Sequence, residues 1–176
     1  MTYLILLSCF AIALIFGLGR SYFLASRLSR MSWEELVKRL EPTETAGITA
    51  VAREHLNPIG CQLGAEPNEL WDLIGRAEGL ARMRSNAEVL IALAAHASSW
   101  NFDESVIVAE RMRRDGLALK RAARGITLSL TFGYGRSRGA FYVHEAASAY
   151  HLMRNRLLAL YETSHAGRYP RLLEAL

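Results

Sequence analysis

The sequence predicts an all-α protein: one N-terminal transmembrane helix followed by a compact helical domain of about five to seven helices. Three observations carry that expectation. The chain opens on a charge-free apolar run. Beyond it, apolar residues recur mostly at the three- and four-residue spacing of helices. Cap residues, glycines and prolines then divide that pattern into segments of helical length. The composition fits a folded chain, with 51% apolar and 22% charged residues and only 4 prolines, far from the apolar-poor sequences that stay disordered.

The first element is the run TYLILLSCFAIALIFGLG, Thr2 to Gly19. At about 1.5 Å per residue it covers roughly 27 Å as a helix, close to the hydrocarbon thickness of a bilayer. Arg20, Arg27 and Arg30 follow it and no Lys or Arg precedes it. The positive-inside rule therefore places the N-terminus outside and the C-terminal part in the cytoplasm. A cleaved signal would want a basic stretch ahead of the apolar run, which is lacking, although Gly17 and Gly19 offer small residues at cleavage-like spacing. A lipidation reading of Leu6 to Cys9 fails because so few residues precede the cysteine. The expected division is a membrane anchor over 1–24, a juxtamembrane linker over 25–31 and a helical domain over 32–176. Two cysteines, Cys9 and Cys61, one of them inside the apolar run, form no disulfide framework and fit a reducing compartment.

In the domain, Ser32 with Glu35 has the form of a capping box, and Leu36, Val37 and Leu40 continue a short helix to Glu41 and Pro42. Thr43 is the expected cap of a second helix that runs to Leu56, with Ile48, Val51 and Ala52 on one stripe. Asn57 and Pro58 end it. Ile59 to Glu66 reads as a loop. Pro67 starts a third helix through Leu70, Ile74, Ala77 and Ala81. Ser85 and Asn86 are the expected cap of a fourth, apolar nearly all round from Val89 to Ala97, the central helix on this reading, closed by Trp100 and Asn101.

Asp103 or Asn101 caps the next helix, which Gly116 either breaks or weakens. Ile126 to Phe132 alternates apolar and polar residues as a strand would, yet a strand here has only Ala140 to Val143 to pair with, and isolated hairpins are marginal, so helix is favoured. After the loop Gly133 to Gly139, a long helix over Phe141 to Glu162 places Tyr142, Ala146, Tyr150, Met153, Leu157, Leu160 and Tyr161 on one face. Pro170 starts a last short helix over Arg171 to Leu176.

No catalytic, metal or cofactor site is expected, and each candidate has a simpler structural reading. Glu162 and His165 have metal-binding Glu-x-x-His spacing, but ferritin-like sites need two copies. His144 and His151 share a stripe, but seven residues rise about 10.5 Å, too far for one metal, so they read as a solvated face. His96 reads as a buried or capping histidine. The glycine-rich loop Gly133 to Gly139, with Arg136 and Arg138, is the one place where a phosphate-bearing ligand or nucleotide could be cradled, though it carries no Walker or Rossmann spacing.

Charge asymmetry is the clearest feature. From Glu34 to Glu104 acidic residues outnumber basic ones 12 to 6, and from Glu110 to Arg171 basic residues outnumber acidic ones 12 to 4. The candidate basic surface is Arg111, Arg113, Arg114, Lys120, Arg121, Arg124, Arg136 and Arg138. It would pair with the acidic half, lie on anionic lipid or bind nucleic acid, in that order of preference, since a net charge of only +4 does not demand an external polyanion. The expected function is a single-pass, membrane-anchored interaction or scaffolding module, with the membrane and a protein partner or second copy as its contacts. The alternatives are a phosphate-ligand enzyme at the glycine-rich loop and a lipid-surface binder.

Overall fold

A computed structural model of the chain describes residues 27–60, 63–97, 102–132 and 136–176. All regular structure among them is α-helical: α1 Trp33–Val37, α2 Thr45–Leu56, α3 Pro67–Leu73, α4 Arg76–His96, α5 Phe102–Phe132, α6 Arg136–Ser164 and α7 Tyr169–Ala175. Thr2 to Gly19, Trp100 and Asn101 lie outside the described residues. Among the described residues no helix is long and apolar enough to cross a membrane.

The local start signals work as the residues dictate. Ser32 caps α1: its hydroxyl accepts from the Glu35 amide at 3.3 Å, while the Glu35 carboxylate accepts from the Ser32 amide at 2.8 Å. That reciprocal bond holds the Glu35 carboxyl below its ordinary value. Pro67 occupies the first turn of α3, where its missing N–H costs nothing. α1 is shorter than expected, ending at Val37 with Lys38 at its C-cap, and α2 begins at Thr45 with Glu44 at its cap position.

Two further boundaries differ from the sequence expectation. The pattern from Pro67 breaks at Ile74 and Gly75, where Gly75 at φ 80° and Arg76 at φ 56° turn the chain in left-handed backbone. Ser85 and Asn86 are not a cap, because α4 runs through them and buries Asn86. The Asn86 side chain instead mimics a backbone. Its Oδ1 accepts from the Glu41 amide at 2.9 Å, and its Nδ2 donates to the Glu41 carbonyl at 2.7 Å and to the Tyr150 hydroxyl at 3.1 Å. As favoured from the sequence, Ile126 to Phe132 is helical, and α5 passes Gly116 without a break. The alternation there is accommodated because Ile126 is buried, Leu128 is exposed and the Thr127 hydroxyl donates back to the Ala123 carbonyl at 2.9 Å.

α6, rather than α4, is the hub. It packs most extensively on α5, then on α2, and also on α4, α3 and α7. The expected face is the buried one: Ala146, Tyr150, Met153, Leu157, Leu160 and Tyr161 are core, with Tyr142 packed at its edge. The Tyr161 hydroxyl donates to the Leu93 carbonyl at 3.1 Å, and burial pushes its pKa up to about 12. The Trp33 ring lies 6.4 Å from the Tyr161 ring and carries the Arg168 guanidinium 5.0 Å over its face, joining α1 to the chain after α6. Leu28, inside the stretch assigned as linker, is also core.

Candidate functional site

The site with the most distinctive chemistry is the outer face of α5. Ser105, Ala109, Met112, Gly116, Leu119, Ala122, Ala123 and Ile126 are buried at three- and four-residue intervals, and this side packs on α4 and α6. At 100° per residue the opposite line runs Ile107, Glu110, Arg114, Leu117, Arg121, Arg124 and Leu128, with Val106 and Arg113 beside it, all exposed. Val106, Ile107, Leu117 and Leu128 are 45% to 58% exposed. They are half of the strongly exposed large apolar side chains among the described residues, and they alternate with arginines.

The candidate basic residues divide accordingly. Arg113, Arg114, Arg121 and Arg124 belong to this outer face. Glu110 lies 3.4 Å from Arg113 and 3.6 Å from Arg114 and orients both. Arg111 sits at its edge towards α6, and after burial it is the charge that lowers the Arg156 pKa. Arg156 itself is paired with Asp115. Lys120 turns inward to Glu88 of α4 at 3.1 Å. Arg136 and Arg138 fall in the first turn of α6, and their side chains lie outside the described residues. Across the two halves, Lys120 pairs with Glu88 and His144 contacts Glu54. The exposed apolar residues of α5 were missed in the sequence because Gly116 was read as a possible break. A wheel continued across it puts Ile107, Leu117 and Leu128 on the polar side.

The base of the domain meets α5 through α4. Arg27 and Leu28 line a cleft of about 270 Å³ with Arg39, Glu41, Ser85, Glu88 and Val89. Glu88 is also the partner of Lys120.

Two of the histidines are placed differently from the expectation. His144 and His151 are not a solvated face but lie half-buried where α6 packs on α2. His144 Nδ1 is 3.3 Å from the Val51 carbonyl and its Nε2 3.6 Å from the Glu54 carboxylate, and its ring stacks on His55 at 5.8 Å. His151 Nε2 accepts from the Asn155 amide at 2.9 Å while Nδ1 faces the Thr49 hydroxyl at 3.4 Å, a neutral-ring arrangement. Desolvation first, then Arg154 and Arg53, lower the His151 pKa. Desolvation, then Arg168, lowers that of His96 against the opposing pull of Glu34. A depressed histidine takes its proton in the unfolded chain before it does in the folded one. Stability is therefore fully present above about pH 6.5 and is lost as pH falls through the folded values. The melting temperature is expected to fall between pH 7.5 and 5.5, and His151→Gln is expected to flatten that fall; a pH-independent melting temperature would contradict it.

Glu162 is exposed on α6, and His165 lies just beyond the end of that helix. Among the described residues no group of three or more His, Cys, Asp or Glu side chains could hold a metal. The glycine-rich loop is shorter than expected, since α6 is helical from Arg136 and absorbs Gly139; residues 133–135 lie outside the described residues. No family model, no curated protein and no solved structure matches the chain.

Proposed function

We propose that the chain is a membrane-anchored helical interaction module, held by a single span over Thr2 to Gly19 with its N-terminus outside and its helical domain in the cytoplasm. The observation that carries this reading is the charge-free run of bilayer length followed by Arg20, Arg27 and Arg30. The outer face of α5 supports the interaction role, because exposed aliphatic residues interleaved with arginines mark a surface made to be covered.

Two measurements on the full-length chain test the proposal together. Membranes containing it are washed with alkaline carbonate, and a reporter fused after Leu176 is probed for accessibility on each side. The expected result is a protein that resists extraction, keeps its full size and exposes Leu176 to the cytoplasm. Extraction into the supernatant, a trimmed product or a translocated reporter would each overturn it.

A further inference from the structure

We infer that the outer face of α5 rests on the anionic surface of the membrane in which the chain is anchored, its aliphatic side chains entering the headgroup region and its arginines binding lipid phosphates. The inference deepens the proposed function and rests on that reading for the identity of the membrane.

Chemistry selects the occupant. Along Ile107 to Leu128 the face is about 30 Å long, the footprint of an interfacial helix lying flat. Arg113, Arg114, Arg121 and Arg124 outnumber Glu110, the carboxylate on the same line, so the face keeps a net positive charge that attracts an anionic leaflet. Their long stems let the guanidinium groups reach headgroups while Ile107, Leu117 and Leu128 sit lower. A second copy of the chain fits poorly, because two such faces would set arginine against arginine, and Glu110 already serves its own Arg113 and Arg114. Nucleic acid fits poorly too. Its unpaired bases want aromatic platforms, and the exposed apolar residues of α5 whose side chains are described are all aliphatic. Position agrees: Arg27, the first described residue after the proposed span, shares a cleft with Glu88, whose carboxylate holds Lys120 on the flank of α5.

The test uses the full-length chain with Cys9→Ser, Cys61→Ser and Leu117→Cys, carrying an environment-sensitive fluorophore at position 117. It is reconstituted into vesicles of phosphatidylcholine alone or of phosphatidylcholine with phosphatidylserine. The expected result is a blue-shifted, brighter emission in the phosphatidylserine vesicles. Replacing Arg113, Arg114, Arg121 and Arg124 together by glutamine is expected to abolish the shift while the helical circular dichroism is unchanged. Equal emission in the two lipid compositions overturns the inference on the unmodified arginines, whatever the stability of the quadruple variant. An equal shift produced by heparin with neutral vesicles also overturns it, in favour of a polyanion site.

Carbonate extraction of the same vesicles separates the two readings. A chain that resists extraction but shows no lipid-dependent shift keeps the anchor and loses the α5 contact. A chain that is extracted yet shows the shift loses the anchor and keeps the contact.

Discussion

Gly47→Ala is expected to destabilise the domain by about 3 kcal/mol, the upper part of the range for forcing atoms into a packed interior. A Cβ at Gly47 would lie 2.0 Å from the Leu73 carbonyl oxygen and 2.8 Å from its carbon. The obstacle is backbone at the C-terminal end of α3, so no rotamer change relieves it and α2 must move away from α3. On the other side of the same helix end, Gly79 of α4 is equally confined, its Cβ position meeting the Ile74 carbonyl. The two glycines let α2 and α4 close on the short α3, and α6 packs on all three. Gly139→Ala is the control. Its Cβ would meet nothing within 4 Å and it lies inside α6, so alanine there is expected to stabilise by roughly 0.5–1 kcal/mol. Denaturant unfolding followed by circular dichroism reads both. A Gly47→Ala protein as stable as the wild type would refute the close approach of α2 and α3.

Asn86→Ala is expected to cost about 3 kcal/mol, because three hydrogen bonds disappear at a site 1% exposed and the Glu41 amide and carbonyl lose their partner. The segment between α1 and α2 is tied to α4 through this side chain, so its amide protons are expected to exchange faster in the variant than those of α5. Asn86→Asp separates the contributions. It keeps an acceptor for the Glu41 amide, loses both donated bonds and buries a charge, so it is expected to be at least as damaging as alanine. Tyr150→Phe removes the Asn86–Tyr150 bond, leaves both bonds to Glu41 and is expected to cost about 1 kcal/mol. If Asn86→Ala were no worse than Tyr150→Phe, the clamp on Glu41 would contribute little and this account of Asn86 would fail.

The expectations that held and those that failed divide along one physical line. The helical class, the Ser32–Glu35 capping box, the Pro67 start and the buried face of α6 are local properties. Each depends on residues within about one or two turns, and the 3.6-residue period reports them directly. The same locality made Ser85 and Asn86 look like a cap. Asn86 is a better N-cap residue than helix former, and only Glu41 and Tyr150, 45 and 64 residues away, decide that it is buried instead.

The α5 face was legible in half. Arg113, Arg114, Arg121 and Arg124 are evident as a basic cluster, but whether a cation faces outward or, like Lys120, turns to a neighbouring helix depends on where Glu88 comes to lie. His144 and His151 share a stripe by arithmetic, and it is the packing of α2 on α6 that removes them from solvent. What the sequence by itself determined is the helical class, most helix starts and the identity of the charged and apolar residues on each stripe, because backbone hydrogen bonding in a helix is short-range. What only the tertiary structure decided is which stripe faces which neighbour, where Gly47 and Gly79 must stay bare, and which exposed face is left over on α5. Those outcomes are set by partners distant in the chain, whose contacts no local period encodes.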